Sequence, residues 1–287
     1  AAMSLALRTF VDPGDDVVGV IPYFGEYPAY CASVGATWTP VPSTEDFALD
    51  VDAIADALSA RTAAVIINSP CNPSGHVIDA AELDALAGLL TRHGERTGRR
   101  VLLLVDEVYR QLLFSPARRV EPFDAYPWTV LARSFSKDLG LAGERIGYLV
   151  LHPLLASAEV GRGLEMAQRA LGFVNAPATM QRMLLHLSSW SVDIAPYAER
   201  RDHVIRCAAE AGLDAVAPQG GLYLWARSPW RDGLAFVSAL AERRVLVAPG
   251  IAFGMPDWLR ICFTAPRDAI ERAMAVVADV SAVELTA

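Results

Sequence analysis

The sequence predicts an α/β fold with a mostly parallel sheet covered by helices on both faces. Three observations predict it. Short apolar runs of about five residues alternate with helical stretches, the pattern of strands buried on both faces. Polar residues, Asn72, Asp106 and Ser134, cluster just after the carboxyl ends of those runs, where such sheets bind ligands. After Leu151 the alternation gives way to longer helices and then a few strands, which reads as a smaller α+β unit. The boundary is placed so that 1–190 form the large domain and 191–287 the small one.

Residues 3–11 carry an amphipathic helical pattern, ended by the turn Asp12-Pro13-Gly14-Asp15. Val17 to Ile21 reads as a buried strand. The loop Pro22-Tyr23-Phe24-Gly25-Glu26-Tyr27 then leads into a helix to about Ser33. Ala36 to Pro42 is the next strand, Asp50 to Leu58 a helix and Ala64 to Asn68 a strand that is apolar until its polar end. Asp79 is a good N-cap for a helix to Arg92. Val101 to Val105 is fully apolar and runs straight into Asp106-Glu107. Trp128 to Ala132 and Ile146 to Leu151 are two further strands, with a polar loop between them. Beyond them, 157–187 read as helices broken near Gly172 to Pro177, and Ala195 to Ala211 as one long helix. Gly220 to Ala226, Val245 to Ala248 and Arg260 to Thr264 read as strands, followed by a helix over 267–280.

The totals narrow the function. The net charge of −8 is spread without blocks, which argues against nucleic-acid binding through a basic surface. No apolar run approaches the length of a membrane span. Four cysteines lie scattered without a CxxC pair, the usage of reduced thiols in a cytoplasmic protein. Five histidines form no HxxxH or HExxH pattern, so no metal site is expected. The chain opens at Ala1-Ala2 already inside a helical pattern, without a cap or a leading strand, and we expect a natural N-terminal segment to precede it.

The chemistry concentrates in Ser134-Phe135-Ser136-Lys137 and the following residues to Arg145 and Tyr148. A lysine can form an imine with an aldehyde, and hydroxyls with an arginine can hold a phosphate. One molecule with both groups is pyridoxal 5′-phosphate (PLP). A lone lysine after two serines is also what a solvated surface presents. The other motifs decide between the readings. S-x-S-K-x-x-x-L-x-G-x-R-x-G-Y resembles the lysine segment of the class I/II aminotransferases, in the aspartate aminotransferase superfamily (PLP fold type I). Asn68-Ser69-Pro70-Cys71-Asn72-Pro73-Ser74-Gly75 is similar to the family's NPxNPTG loop, and Asp106-Glu107-Val108-Tyr109 to its D-E-x-Y. Gly220 to Trp225 resembles its GG-[FL]-Y-x-[WF] strand, and Pro249 to Gly254 with Arg260-Ile261 its P-G-x-x-F-G and R-[IL].

The resemblance implies a role for each of these residues. Lys137 forms the Schiff base and then moves a proton, which requires the neutral amine. Asp106 keeps the pyridinium nitrogen protonated, so that the ring accepts electrons. Asn72 and Tyr109 bond the phenolic oxygen, and a cis bond is expected at Asn72-Pro73. Phe24 stacks on the ring where relatives often carry Tyr or Trp. Arg145, Ser134 and Ser136 hold the phosphate, and Ala1 and Ala2 fall at a helix N-terminus facing it. Arg260 clamps the substrate carboxylate, and Asn72 is the second residue expected to bind substrate. The implied reaction passes an amino group from an L-amino acid to a 2-oxo acid, in a homodimer with sites near the interface. β-Elimination or another biosynthetic outcome uses the same residues, and a regulator could use the same domain as a sensor.

Overall fold

The computed structural model describes residues 1–187 and 191–284. Six strands form one sheet in the order β2-β1-β3-β4-β5-β6. They are β1 (Asp16–Val20), β2 (Thr37–Val41), β3 (Thr62–Asn68), β4 (Leu102–Asp106), β5 (Thr129–Ser134) and β6 (Gly147–Leu151). Neighbours among β1 to β5 run parallel, and β6 closes the edge antiparallel to β5. The central strands are buried on both faces because their side chains alternate between two cores. Val17, Ile66, Leu104 and Val130 belong to one core, and Val18, Val65, Leu103 and Leu131 to the other.

Helices α1 (Ala2–Phe10) and α2 (Tyr27–Ser33) cover the first face through Met3, Leu7, Tyr27 and Cys31. Helices α3 (Val51–Ala57) and α4 (Ala80–Thr97) cover the second through Ile54, Leu83, Leu86 and Leu90. The expected start of α4 holds. Asp79 accepts from Glu82 N–H while the Glu82 side chain accepts from Asp79 N–H, a complete capping box. The helix runs five residues past the expected Arg92 to Thr97, and Gly98 ends it in the left-handed region at φ 73°.

Short helices α5 (Pro122–Ala125) and α6 (Phe135–Asp138) flank β5. Next come α7 (Ala158–Ala170), α8 (Ala178–Leu187) and α9 (Ala195–Glu210). A second, antiparallel sheet has the order β7-β8-β10-β9, with β7 (Ala215–Val216), β8 (Tyr223–Arg227), β9 (Ala248–Pro249) and β10 (Trp258–Cys262). Helices α9, α10 (Gly233–Glu242) and α11 (Arg267–Glu284) pack on it around Val204, Phe236, Leu259 and Val277.

The two sheets meet at the loop after β3. Gly75, at φ 74°, accepts from the N–H groups of Gln219 and Gly220 just ahead of β8, and a Cβ there would lie 2.4 Å from Pro218 Cβ. Only glycine allows that approach, and it carries the Asn72 loop against the second sheet. Among the described residues, no helix is long and apolar enough to cross a membrane.

Candidate active site

The carboxyl ends of β3, β4 and β5 lie side by side, so the segments that follow them share one end of the sheet. Asn68 ends β3 and braces this edge. Its Nδ2 donates to the Asp106 carbonyl at 2.8 Å, and its Oδ1 accepts from Asn72 N–H at 2.7 Å. Asn72 is buried, and the Asn72-Pro73 bond is cis, as the loop motif implied. Arg260, on β10, reaches across and donates from Nη1 to Asn72 Oδ1 at 2.7 Å, joining residues 188 positions apart. Its guanidinium carbon lies 4.0 Å from the Tyr223 ring centroid and 4.8 Å from that of Phe253.

Asp106 ends β4. Its Oδ2 accepts from the hydroxyl of buried Tyr27 at 2.8 Å, and its Oδ1 takes only a long 3.3 Å bond from Val108 N–H. The side chain is partly open toward the site, yet desolvation dominates and holds this carboxyl above the usual aspartate range. The Tyr27 bond pulls the other way. Burial and the Asp106 charge keep the Tyr27 phenol protonated well above its ordinary range. Tyr109, expected to bond the phenolic oxygen together with Asn72, donates its hydroxyl to that of Tyr223 at 3.3 Å.

Lys137 was expected on a loop between strands. It lies in α6, a single helical turn capped by Ser134, whose Oγ accepts from Ser136 N–H and donates to Ser136 Oγ at 2.9 Å. Arg145 follows in the left-handed region at φ 53°, and its Nη1 donates to the Ala142 carbonyl at 2.9 Å. Helix α1 packs beside β4 and β5. Phe24 packs edge-on against Tyr27 with ring centroids 5.6 Å apart. Gly25 beside it lets the loop touch the turn between β9 and β10, since a Cβ there would lie 2.5 Å from the Ala252 carbonyl oxygen.

The chain's family follows from a direct match. The family described as aminotransferase class I and II matches residues 1–277. The chain belongs to the class I and II aminotransferases.

Relatives of this aminotransferase agree. It is 29% identical to the aspartate aminotransferase of Geobacillus stearothermophilus over 95% of this chain and 72% of that protein. An amino transferase of Eubacterium rectale superposes with a TM-score of 0.92 at 32% identity, covering 97% of this chain and 71% of the other. The N-succinyldiaminopimelate aminotransferase of Mycobacterium tuberculosis superposes with a TM-score of 0.85 at 27% identity, over 97% and 74% of the two chains. The aminotransferase is thus a transferase enzyme with the PLP fold type I architecture.

Four contacts at this site, made by three residues, do not follow from the sequence alone: Tyr27 on Asp106, Tyr223 on Tyr109 and on Arg260, and Phe253 on Arg260. All three residues lie inside motifs already singled out. What the motifs could not show was which partner each would touch.

Asp138, next to Lys137, carries a testable consequence. Burial pushes its carboxyl up to about 6, offset in part by a bond from Gln111 N–H and by Arg110. A raised carboxyl contributes most to stability below its unfolded value near 4, and that contribution is lost as pH rises through about 6. Asp138→Asn, which keeps an acceptor for Gln111, should therefore stabilise the fold at pH 8 by up to about 3 kcal/mol and give no gain at pH 4. Denaturant unfolding at the two pH values checks this.

Proposed function

We propose that this aminotransferase holds pyridoxal 5′-phosphate at the carboxyl end of the large sheet, linked to Lys137, and moves an amino group from an L-amino acid to a 2-oxo acid. The carrying observation is the 2.7 Å bond between Arg260 and Asn72. It sets a carboxylate-binding guanidinium directly against the loop expected to hold the cofactor.

The residues present fit that group. Asp106 is a desolvated carboxylate with one oxygen short of donors, which a protonated pyridine nitrogen satisfies. Arg145 gives one N–H to Ala142, leaving the rest of its fork for phosphate oxygens, with the Ser134 and Ser136 hydroxyls as further donors. Ala1 and Ala2 open the nearby helix. When bound, PLP supplies an electron sink for the substrate α-carbon. The protein supplies the rest. Asp106 maintains the sink by its charge, and Asn72 and Tyr109 donate to the phenolic oxygen, the Tyr109 hydroxyl then accepting from Tyr223 in place of donating to it. Phe24 covers the ring. Arg260 orients the substrate through its carboxylate, and the Lys137 amine carries the proton to and from the α-carbon.

The side chains around Arg260, namely Asn72, Tyr223 and Phe253, carry no second cation, which favours a substrate with a small or apolar side chain. We divide the chain into domains 1–190 and 191–287, supported by the separate sheets and cores; the boundary falls beside 188–190, outside the described residues. We read the protein as a cytoplasmic homodimer. Four free thiols support the compartment. Exposed Met166, Phe173, Met183 and Leu185 on and between α7 and α8 support a subunit interface, and light scattering of the purified protein tests it.

The function is tested by an absorption titration with PLP, followed by a panel of single amino acids. We expect a lysine-linked cofactor band that one class of amino acids converts to the pyridoxamine form with release of its 2-oxo acid. Release of ammonia and pyruvate alone would make it a lyase. A panel in which only aspartate and glutamate react would overturn the proposed side-chain class.

A further inference from the structure

Arg260 is held from more than one side, and only one of its partners belongs to the loops that follow the large sheet. Antiparallel pairing of β8 with β10 sets Arg260 opposite Trp225 and Cys262 opposite Tyr223. Tyr223 and Arg260 are therefore diagonal neighbours on one face, a separation that long side chains span. The Tyr223 ring takes up that diagonal and lies 4.0 Å from the guanidinium carbon, while Phe253 approaches at 4.8 Å. An aromatic ring at this distance attracts a guanidinium and favours a flat, stacked orientation. With Nη1 committed to Asn72, the stacked ring restricts the remaining freedom of the fork.

Tyr223 also reaches the other side of the site. Its hydroxyl accepts from the Tyr109 hydroxyl at 3.3 Å, and the two rings meet edge to face with centroids 5.9 Å apart. Burial raises the Tyr109 phenol far above its ordinary value, so Tyr109 meets Tyr223 as a neutral hydroxyl.

We propose that Tyr223 is a positioning residue for the substrate carboxylate: its ring fixes the plane of the Arg260 guanidinium, while its hydroxyl only borders Tyr109. The inference rests on the reading of Arg260 as the carboxylate clamp. It assigns Tyr223 no contact with the reacting atoms. An arginine with its plane already set loses less freedom when it forms a two-bond fork with a carboxylate.

The test uses the PLP-loaded full chain, with propionate as a non-reacting carboxylate probe and propionamide as its neutral control. Tyr223→Phe keeps the ring and loses the hydroxyl. Tyr223→Leu loses both, and Tyr223→Met does the same with a more adaptable side chain, in case the leucine variant fails to fold. We expect Tyr223→Leu or Tyr223→Met to weaken propionate binding about 3- to 30-fold and to raise KM by a similar factor, with a smaller change in kcat. Tyr223→Phe should stay within about twofold of the parent, and propionamide binding should not respond to any variant. Unchanged propionate affinity in the leucine or methionine variant overturns the proposal. So does a Tyr223→Phe variant as impaired as those two, since the ring would then not be the holding element. Arg260→Leu separates the two layers of inference. If it loses propionate affinity while the ring-deleted variants do not, only the role of Tyr223 falls. If it too leaves the affinity unchanged, the carboxylate reading of Arg260 falls with it.

Discussion

Lys137→Ala should lose the absorption band of lysine-linked PLP and lower turnover by about 10⁴-fold, the upper range for a positioned proton-transfer group. Two functions disappear together: the amine that attaches to the aldehyde and the base that carries the proton. Alanine is well tolerated in a helical turn, so α6 should survive. Its anchors lie elsewhere, in the Ser134 cap and in the bond from Phe135 N–H to the Ile146 carbonyl. Adding a small primary amine such as methylamine should restore part of the turnover, because it replaces the missing base without rebuilding the side chain. A variant that kept both the band and its turnover would remove Lys137 from the reaction.

Asp106→Asn should lower kcat by about 10² to 10³-fold and weaken PLP binding, the magnitude typical of deleting one preorganised electrostatic contact. The amide has nearly the same shape and can still accept from Tyr27, but it has no charge with which to hold a proton on the pyridine nitrogen. The pH dependence provides a second readout. Desolvation raises the Asp106 carboxyl and the neighbouring Glu107 charge adds to this, while Tyr27 and Val108 N–H lower it; Tyr109 and Cys71 lie within its electrostatic reach. Because the value is raised, the carboxylate is lost on acidification at a higher pH than an ordinary aspartate would show. Cofactor binding should therefore fall on an acid limb above the usual aspartate range, and Asp106→Asn should erase that limb. A variant within about twofold of the parent at every pH would show that this charge is not used.

Much of the large sheet was legible because its strands are short, apolar and separated by helices with ordinary start and stop signals. Asp79 with Glu82 and the turn at Asp12 to Asp15 are local chemistry, readable without knowing what packs on them. Strand direction was not legible. The run ending at Leu151 looks like the others, yet β6 pairs antiparallel with β5. Helix α10 was missed because its run, Gly-Leu-Ala-Phe-Val-Ser-Ala-Leu-Ala-Glu, is apolar on most sides and lacks a clear period; the cap at Asp232 was the available signal.

The candidate site divides in the same way. Residue types and their order in the chain determined the family resemblance and the set Asn72, Asp106, Lys137, Arg145 and Arg260, because those motifs are local. Tertiary structure decided the pairing. It brought Arg260 to Asn72 across 188 positions, placed Tyr27 on Asp106, and set Tyr223 between Tyr109 and Arg260. A linear motif specifies which groups are available. Which of them lie within 3 Å of each other depends on strand register and on how the second sheet docks against the first, and those are settled by packing far from the motifs.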